Sequence, residues 1–548
     1  MRKTSVCILH VQAIVAMLAL SQYPRVSVAD VAEPCSDDRS QIRRRPGADE
    51  NRPAVETPCD STRLPVPNAE NMPAPAEAAS RWRTVESLGY PDNRLDPYGG
   101  NNPLKGDRPS FGRDGFLSLA ATSTSLVESR RVPSGSAPAA DVTQLFMNES
   151  AAFDMVLYQG DTVFKPPQYQ FRFSPAVSYS RTAANGTASG QPSFSTQALF
   201  FETHLRDVSS RYDFDSVRVG IQPVTSDPRG FLLLDQPAGV RLFGTRDGNL
   251  YQYSVGWFRP LAKNAARLND LGAQLPHEDQ VVANLYRQDF LRPGVTLGLT
   301  AIHDQSDDRL RATNAGVTYF GINADGHVSR INLTGVAYSA TGTYSSPDAT
   351  DDLRIRAFFA ATEISVDFDW VRLRVSGLFA SGDGDAGDRR ATGFAGLNAS
   401  PVFAGADSSF FFHQRLALNG AVDLKQRDRL FTDLRSTDGS GPASFTGPGL
   451  SLAGLGADFD ITPRTRISMD ANRLRFAEVA ALESLTGTAE ISRDIGWDVS
   501  VNAFYRPFAT QNVILRLSGA MLQPAAGYRA LYGDGRQTSA FFNLILAY

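Results

Sequence analysis

The sequence has little cysteine and little lysine. Cysteine occurs at three of 548 positions, and lysine occurs only at positions 3, 105, 165, 263 and 425, so arginine supplies most of the basic charge. After the N-terminus there is no run of about 18 apolar residues, so we expect no transmembrane helix there. The net charge of −4 indicates no particular class of partner.

Motifs that carry chemistry are missing as well. The sequence has no nucleophile elbow, Walker loop, zinc-spaced His/Cys set or Cys-x-x-Cys-His haem site, and its histidines are scattered. We therefore predict a protein that is not an enzyme, has no cofactor and binds no nucleic acid. A barrel lipase or protease, which needs a Ser/His pair at the mouth of the lumen, is the enzyme hypothesis that stays open.

The first 29 residues are typical of a cleaved secretory signal peptide. Arg2 and Lys3 precede a mostly apolar stretch, and Ser27-Val28-Ala29 supplies small residues at a cleavage site. We expect export across the inner membrane.

Two segments of different character follow the signal peptide. Residues 30–80 are rich in proline and charge, which predicts a mostly disordered periplasmic tail. Cys35 and Cys59 lie in this tail and are a candidate disulfide. Residues 81–114 contain aromatic residues and turn formers, and we interpret them as a short periplasmic or plug-like segment.

From Gly115 onward the chain alternates apolar and polar residues with the period of a β-strand. The pattern predicts an all-β fold, a transmembrane antiparallel up-and-down β-barrel of about 18 strands (16–18) spanning residues 115–548. By strand count the short turns, such as Asn323-Ala324-Asp325-Gly326, fall on the periplasmic side. The longest connection, 383–449, is too long for a simple loop, so we expect it either to enter the lumen or to form an extracellular cap.

The final strand resembles the one by which Gram-negative outer-membrane barrels are recognised for assembly. Phe542, Leu544, Leu546 and Tyr548 share one face of it at strand spacing. The chain also resembles, over most of residues 81–548, the porin-like barrels of the alginate-export type and their uncharacterised relatives. That resemblance lies in Val217-Arg218-Val219-Gly220-Ile221-Gln222 and in Gly239-Val240-Arg241-Leu242, and it includes Ala380-Ser381-Gly382-Asp383-Gly384-Asp385. It implies a location in the outer membrane, contact with lipid and lipopolysaccharide, and the barrel assembly machinery as a partner.

Arginine recurs at strand spacing between apolar neighbours. A charged side chain on the lipid face costs about 2–4 kcal/mol near the midplane, so these residues should face the lumen. There a ring of guanidinium groups attracts anions, unless the arginines pair with inward carboxylates and are neutralised. The predicted pore-lining residues are Arg172, Arg218, Arg354, Arg356, Arg372, Arg374, Arg466, Asp470 and Arg516.

One loop carries three carboxylates among glycines. Asp383, Asp385 and Asp388 are oxygen ligands of the kind that Ca²⁺ takes, but the closing Glu of a twelve-residue calcium loop is missing. A solvated acidic loop is the alternative that we favour.

The sequence therefore predicts an outer-membrane channel of a Gram-negative bacterium. Its solutes would be anionic or polar, including polysaccharide, and they would pass through an arginine-lined lumen by passive or facilitated movement. The alternative is a non-transport scaffold or sheath for periplasmic or surface partners. A TonB-dependent receptor is disfavoured because the segment before the barrel is too short and polar for a plug domain.

Overall fold

The computed structural model describes residues 92–95, 102–133, 141–160, 166–264, 267–273, 275–308, 313–345, 352–385, 387–398, 400–418, 422–436 and 445–548. The predicted signal peptide, the tail and the candidate disulfide between Cys35 and Cys59 lie outside these residues. None of the helices in the described part of the chain is long and apolar enough to cross a membrane.

Eighteen antiparallel strands form one closed β-barrel, as predicted. Each strand pairs with the next along the chain, and the last pairs with the first through ten successive residue pairs that run from Thr122 opposite Ala547 to Arg131 opposite Thr538. We number the barrel strands in chain order and call them the wall. They are β1 Gly115–Pro133, β2 Asp141–Gln159, β3 Tyr169–Ala184, β4 Thr187–Asp207, β5 Phe214–Ile221, β6 Ala238–Arg246, β7 Tyr251–Arg259, β8 Glu278–Arg287, β9 Val295–Asp308, β10 Thr313–Val328, β11 Ile331–Ser345, β12 Leu353–Phe368, β13 Val371–Ala380, β14 Leu450–Thr462, β15 Thr465–Arg475, β16 Asp494–Tyr505, β17 Val513–Pro524 and β18 Gln537–Ala547.

The two rims of the barrel differ in their connections. We call the rim where β1 begins and β18 ends the turn rim, and the opposite one the loop rim. Most turn-rim connections are short, such as Asp369-Trp370 and Pro463-Arg464, whereas the loop rim carries the connection 381–449 between β13 and β14. Near the turn rim a further strand, Lys105–Phe111, pairs with the first residues of β1.

Two turn predictions are corrected by the structure. Asn323-Ala324-Asp325-Gly326 is not a turn, because β10 continues to Val328 and the chain reverses at Ser329-Arg330, where Ser329 has a φ of +56°. The short turns are also not confined to one rim. Asn185 and Gly186, with φ values of +50° and +77°, close a two-residue hairpin between β3 and β4 at the loop rim.

The outer face of the wall is apolar. On β13, Leu373 and Val375 are exposed, and their even-numbered neighbours point into the barrel. The same alternation exposes Phe542 and Leu546 on β18. A barrel with an apolar outer band is built for a lipid bilayer.

The core lies inside the barrel, towards the loop rim. Inward side chains there are buried, for example Phe359 on β12 and Leu522 on β17, each 0% exposed. Towards the turn rim the inward side chains are solvated, and Arg466 on β15 is 46% exposed. The lumen is therefore filled at one end and open at the other.

Short elements within the connections belong to this filled half. They are the helices α1 Phe410–His413, α2 Ala480–Thr486 and α3 Ala526–Tyr532, and the strands Val224–Thr225, Leu234–Asp235, Arg390–Ala391, Leu416–Ala417, Val422–Lys425 and Arg435–Ser436.

Candidate pore, plug and chamber

The connection 381–449 folds into the lumen, which decides between the two arrangements that the sequence left open. We call it the plug. It reaches opposite parts of the wall: Asn472 on β15 donates to Ala404 O at 2.8 Å, and Tyr319 on β10 donates to Ala395 O at 3.0 Å. A segment that bonds inward side chains on several sides of a barrel lies within it.

Aromatic residues hold the plug in place. Phe359 on the wall packs against Phe394 and Phe431 of the plug, with ring centroids 5.3 Å and 5.1 Å apart. Phe231, from the β5–β6 connection, contacts Phe403 of the plug at 5.3 Å. Each fully buried phenylalanine contributes about 1.5–3 kcal/mol of burial free energy, so this cluster fastens the plug strongly.

The β5–β6 connection is a second insert into the lumen. Asp227 is buried and accepts a hydrogen bond of 2.8 Å from Tyr338 OH on β11 and one of 2.9 Å from Phe231 N. Arg229 pairs with Glu363 on β12 at 2.9 Å. These bonds fix the position of Phe231, which packs against the plug.

A buried charge cluster ties the plug to β1. Glu128 is 0% exposed and accepts from Arg427 Nη2 at 2.9 Å, with Arg130 Nη1 at 3.6 Å. His413 Nδ1 lies 2.6 Å from Asp428, and its Nε2 lies 2.9 Å from Arg427 Nη2. His413 and Arg427 beside it hold the pKa of the Asp428 carboxyl below its usual range despite burial.

A buried lysine closes the plug on itself. Lys425 Nζ donates to Phe412 O and Gln414 O, both at 2.8 Å, and to Gln426 O at 3.1 Å. Burial lowers the pKa of the Lys425 ammonium to about 7. The side chain thus joins α1 to the strand Val422–Lys425.

Six of the predicted pore-lining arginines face the lumen, and each has a carboxylate partner. Arg374 lies 3.0 Å from Asp458 and 3.1 Å from Asp470, the predicted acidic residue of the set. The pairing that the sequence left as an alternative is what the structure contains, so the wall arginines leave little unpaired positive charge. The other pairs are Arg172 with Asp154, Arg218 with Glu202, Arg372 with Asp367, Arg466 with Asp460 and Arg516 with Asp407.

The structure places Arg354 and Arg356 on the outer face, contrary to their prediction as pore-lining residues. Both are exposed, whereas Ile355 and Ala357 between and beside them are buried against the interior. They lie in the first residues of β12, at the loop rim, where an outward arginine does not meet the midplane of a bilayer. The cost argument that assigned them to the lumen does not apply at that height.

A cavity of about 390 Å³ remains between the plug and β17, and we call it the chamber. Arg267, Arg429 and Arg516 line it, together with Asp407, Asp428 and His413. Its lining comes from three connections and one wall strand, so neither strand periodicity nor spacing could have predicted it.

Two guanidinium groups in the chamber are held by neutral groups. Arg267 donates to Ser400 Oγ at 3.0 Å, to Asn398 Oδ1 at 3.1 Å and to the backbone oxygen of Asp428 at 2.6 Å. Arg429 donates to Leu397 O at 3.0 Å. Among the described residues neither has a carboxylate oxygen within 4.0 Å, in contrast to Arg516, which pairs with Asp407 at 2.6 Å.

Asp383, Asp385 and Asp388, for which a calcium site is the less favoured hypothesis, are not grouped as a metal site in the described chain. Asp385 accepts from Gly387 N at 3.0 Å, Asp388 accepts from Arg390 N at 2.7 Å, and Asp383 accepts from Thr392 Oγ1 at 3.2 Å. Asp385 and Asp388 are each used by their own turn, and Asp383 by Thr392 nine residues further on. In the part of the chain that the structure describes, no three His, Cys, Asp or Glu side chains are grouped to hold a metal.

The residues of the predicted assembly signal lie at the seam of the barrel. Phe542, Leu544 and Leu546 alternate with inward residues of β18, which pairs with β1. Tyr548 OH accepts from Asn102 Nδ2 at 3.1 Å, and Lys105 Nζ lies 4.1 Å from the centre of its ring. The segment before the barrel therefore contacts the final aromatic residue.

Comparisons with known proteins found similar structures only. No protein-family model matches the sequence, and the search of curated proteins found no significant match. Pseudomonas aeruginosa OccK7 (OpdD) aligns with a TM-score of 0.46 and 12% identity over 79% of this chain and 99% of that chain. OccK2 (OpdF) of the same organism, solved in complex with glucuronate, gives 0.44 and 14% over 79% and 95%.

A third structure, the outer-membrane protein OpdK of Pseudomonas aeruginosa, aligns with a TM-score of 0.44 and 12% identity over 79% of this chain and 99% of that chain. Matches at this level assign no solute to this chain. The resemblance to alginate-export barrels stays a prediction, since no family model matches.

Proposed function

We propose that this protein is an outer-membrane channel through which small anionic or polar solutes pass. Its closed wall with an apolar outer face suits a lipid bilayer. The open end of the lumen at the turn rim, which we call the vestibule, leads towards the plug and the chamber beside it. We propose the outer membrane of a Gram-negative bacterium as its location.

The size of the chamber favours a small solute. A volume of about 390 Å³ lies in the range of sites that hold one small molecule, roughly 300–1,000 Å³. The plug is bonded to several wall strands, so a polysaccharide chain would have to displace it. We therefore propose small solutes and not polysaccharide.

The observation that carries the preference for anions is the pair Arg267 and Arg429. Both line the chamber, and neutral groups hold them, so their charge is available to a passing anion. The wall arginines do not serve this role, because carboxylates neutralise them. Weak attraction at few points lets a solute enter and leave again.

Single-channel recording tests the proposal. The refolded mature chain is placed in a planar bilayer, and the reversal potential is measured in a salt gradient. We expect an anion-selective conductance that loses most of its selectivity in Arg267→Gln plus Arg429→Gln. The matched control, Arg354→Gln plus Arg356→Gln, removes two arginines from the outer face and should keep the selectivity.

The scaffold hypothesis makes a different prediction for the same recording. A densely packed plug suits a closed barrel, and a folded chain without conductance would contradict an open channel. Deletion of residues 383–449 then separates a loop-gated channel from a scaffold: both gain a pore, but only a scaffold binds periplasmic or surface partners.

We also propose that the outer surface binds membrane lipid, lipopolysaccharide and the barrel assembly machinery. Lipid and lipopolysaccharide would cover the apolar band, with Arg354 and Arg356 near the loop rim to meet phosphate groups. Phe542, Leu544, Leu546 and Tyr548 would be the strand that the assembly machinery recognises.

A further inference from the structure

Two carboxylates lie side by side on the lumen face of the wall near the loop rim. Glu278 is the first residue of β8, and Asp304 lies on the neighbouring strand β9, opposite Gln280. In this register Glu278 and Asp304 are diagonal neighbours on the same face, within reach of long side chains. The two carboxyl groups are close enough for each to act on the charge of the other.

Acceptor oxygens at this point lack donors. Asp304 is 6% exposed, and its Oδ1 has no hydrogen-bond partner within the described part of the chain. Gln280 is 2% exposed, its Nε2 donates to Glu278 Oε1 at 2.7 Å, and its Oε1 likewise has no partner there. A buried oxygen without a donor costs about 1–3 kcal/mol, so a bound group is expected to satisfy these atoms.

No side-chain cation of the described residues forms an ion pair with Glu278 or Asp304. The guanidinium of Arg435 in the plug is near enough to act on both carboxylates, but its ion pair is with Asp433. Asp433 is itself buried and takes up this guanidinium, so Arg435 alone does not balance Glu278 and Asp304 as well. A buried carboxylate, Asp304, beside the half-buried Glu278 calls for either a shared proton or a cation between them.

We propose that Glu278 and Asp304 bind a divalent cation of the Ca²⁺ type, with the Gln280 amide oxygen as a third ligand. Carboxylate and amide oxygens are the ligands such hard cations take. The oxygen and nitrogen of the Gln280 amide have nearly the same shape, so a half-turn presents Oε1 to the ion. The half-buried Glu278 at the start of β8 gives access from the loop rim.

Calorimetric titration with Ca²⁺ tests this site on the refolded full-length mature chain after treatment with a chelator. We expect one Ca²⁺ per chain and a saturable rise of the unfolding temperature. Glu278→Gln and Asp304→Asn should each weaken binding by about tenfold or more. The matched control is Asp279→Asn, which removes an exposed carboxylate that pairs with Arg259 on the outer face, and it should bind as the wild type does.

Either of two results would overturn the proposal. Equal binding by wild type and both site variants would place the ion elsewhere. No binding at millimolar Ca²⁺, with an unfolding temperature that responds only to pH, would mean that the carboxylates share a proton. Glu278→Gln lies at a rim and keeps the size of the side chain, so a folded variant is expected even where Asp304→Asn disturbs the interior.

Discussion

Ser409 and Asp498 join the plug to the wall. The Ser409 hydroxyl donates a hydrogen bond of 2.7 Å to Asp498 Oδ2, and the same carboxylate oxygen accepts from Phe411 N at 2.6 Å. Asp498 lies on β16 and Ser409 precedes α1, so one buried carboxylate both caps the helix and anchors it. The state of the pore depends on contacts of this kind, which hold the plug inside the barrel.

Asp498→Ala should loosen the plug while the wall stays intact. The change leaves the Ser409 hydroxyl and the Phe411 N–H without their acceptor, at about 1–3 kcal/mol for each buried group. We expect faster protease cleavage within residues 400–418 and larger current fluctuations in single-channel recordings. Ser500→Ala is the control, because the Ser500 hydroxyl on the same face of β16 has no partner among described residues. Equal cleavage of both variants would contradict the anchoring role.

Glu128→Gln should detach the plug from β1. Arg427 and Arg130 would lose the buried carboxylate that compensates them, and breaking one partner of a buried pair costs about 3–5 kcal/mol. Hydrogen exchange should therefore speed up in residues 422–436 with no change in the strands far from β1. Asp534→Asn, at a carboxylate that is 89% exposed, is the control and should leave exchange unchanged. Unaltered exchange in Glu128→Gln would show that apolar packing alone holds this side.

Arg372→Ser plus Arg374→Ser should shift the ion selectivity of the vestibule from anions towards cations. Asp367, Asp458 and Asp470 would then stand unpaired in the lumen. We expect the reversal potential to move in the cation-selective direction and Asp458→Asn, added to the double variant, to move it part of the way back. Arg354→Ser plus Arg356→Ser, on the outer face, is the control. A loss of anion selectivity that Asp458→Asn does not reverse would instead support an arginine-lined lumen.

The plug should become more stable as the pH rises from about 7 towards 10.5. Burial lowers the pKa of Lys425 from 10.5 to about 7, so between these values the opened plug binds a proton that the closed plug does not. The free energy of opening then increases with pH, by at most about 1.4 kcal/mol per pH unit. Hydrogen exchange of residues 410–425, corrected for the intrinsic rate at each pH, measures it.

Lys425→Met is the control for this pH dependence and should abolish it between pH 7 and about 9, above which the pKa of Arg429, lowered by burial to about 9, contributes as well. The substitution removes the titrating group and the hydrogen bonds to Phe412 O, Gln414 O and Gln426 O, so the plug should open more readily at every pH. Faster opening of the wild type at high pH would mean that the three bonds of the ammonium outweigh its desolvation.

The wall could be predicted from the sequence because strand alternation is a local property. Only one register of β13 places apolar side chains towards lipid and charged ones towards the lumen. The apolar ones are Val371, Leu373 and Val375, and the charged ones are Arg372 and Arg374. The same reasoning failed for Arg354 and Arg356, because alternation gives the side of a residue relative to its neighbours but not its height in the membrane. It also failed at Asn323-Ala324-Asp325-Gly326, whose turn-forming residues are held in β10 by ladder hydrogen bonds on both sides.

The sequence by itself determined the class of fold, the number of strands and the position of the long connection, since each follows from the period of apolar residues and from chain length. Only the tertiary structure decided that this connection enters the lumen, that carboxylates neutralise the wall arginines, and that Arg267 and Arg429 meet in a chamber. Those facts depend on side chains far apart in the chain, such as Ser409 and Asp498, which closure of the barrel brings within hydrogen-bonding distance. A local sequence pattern cannot predict such a contact. The interaction free energy arises only when the two partners come together and the water between them is expelled.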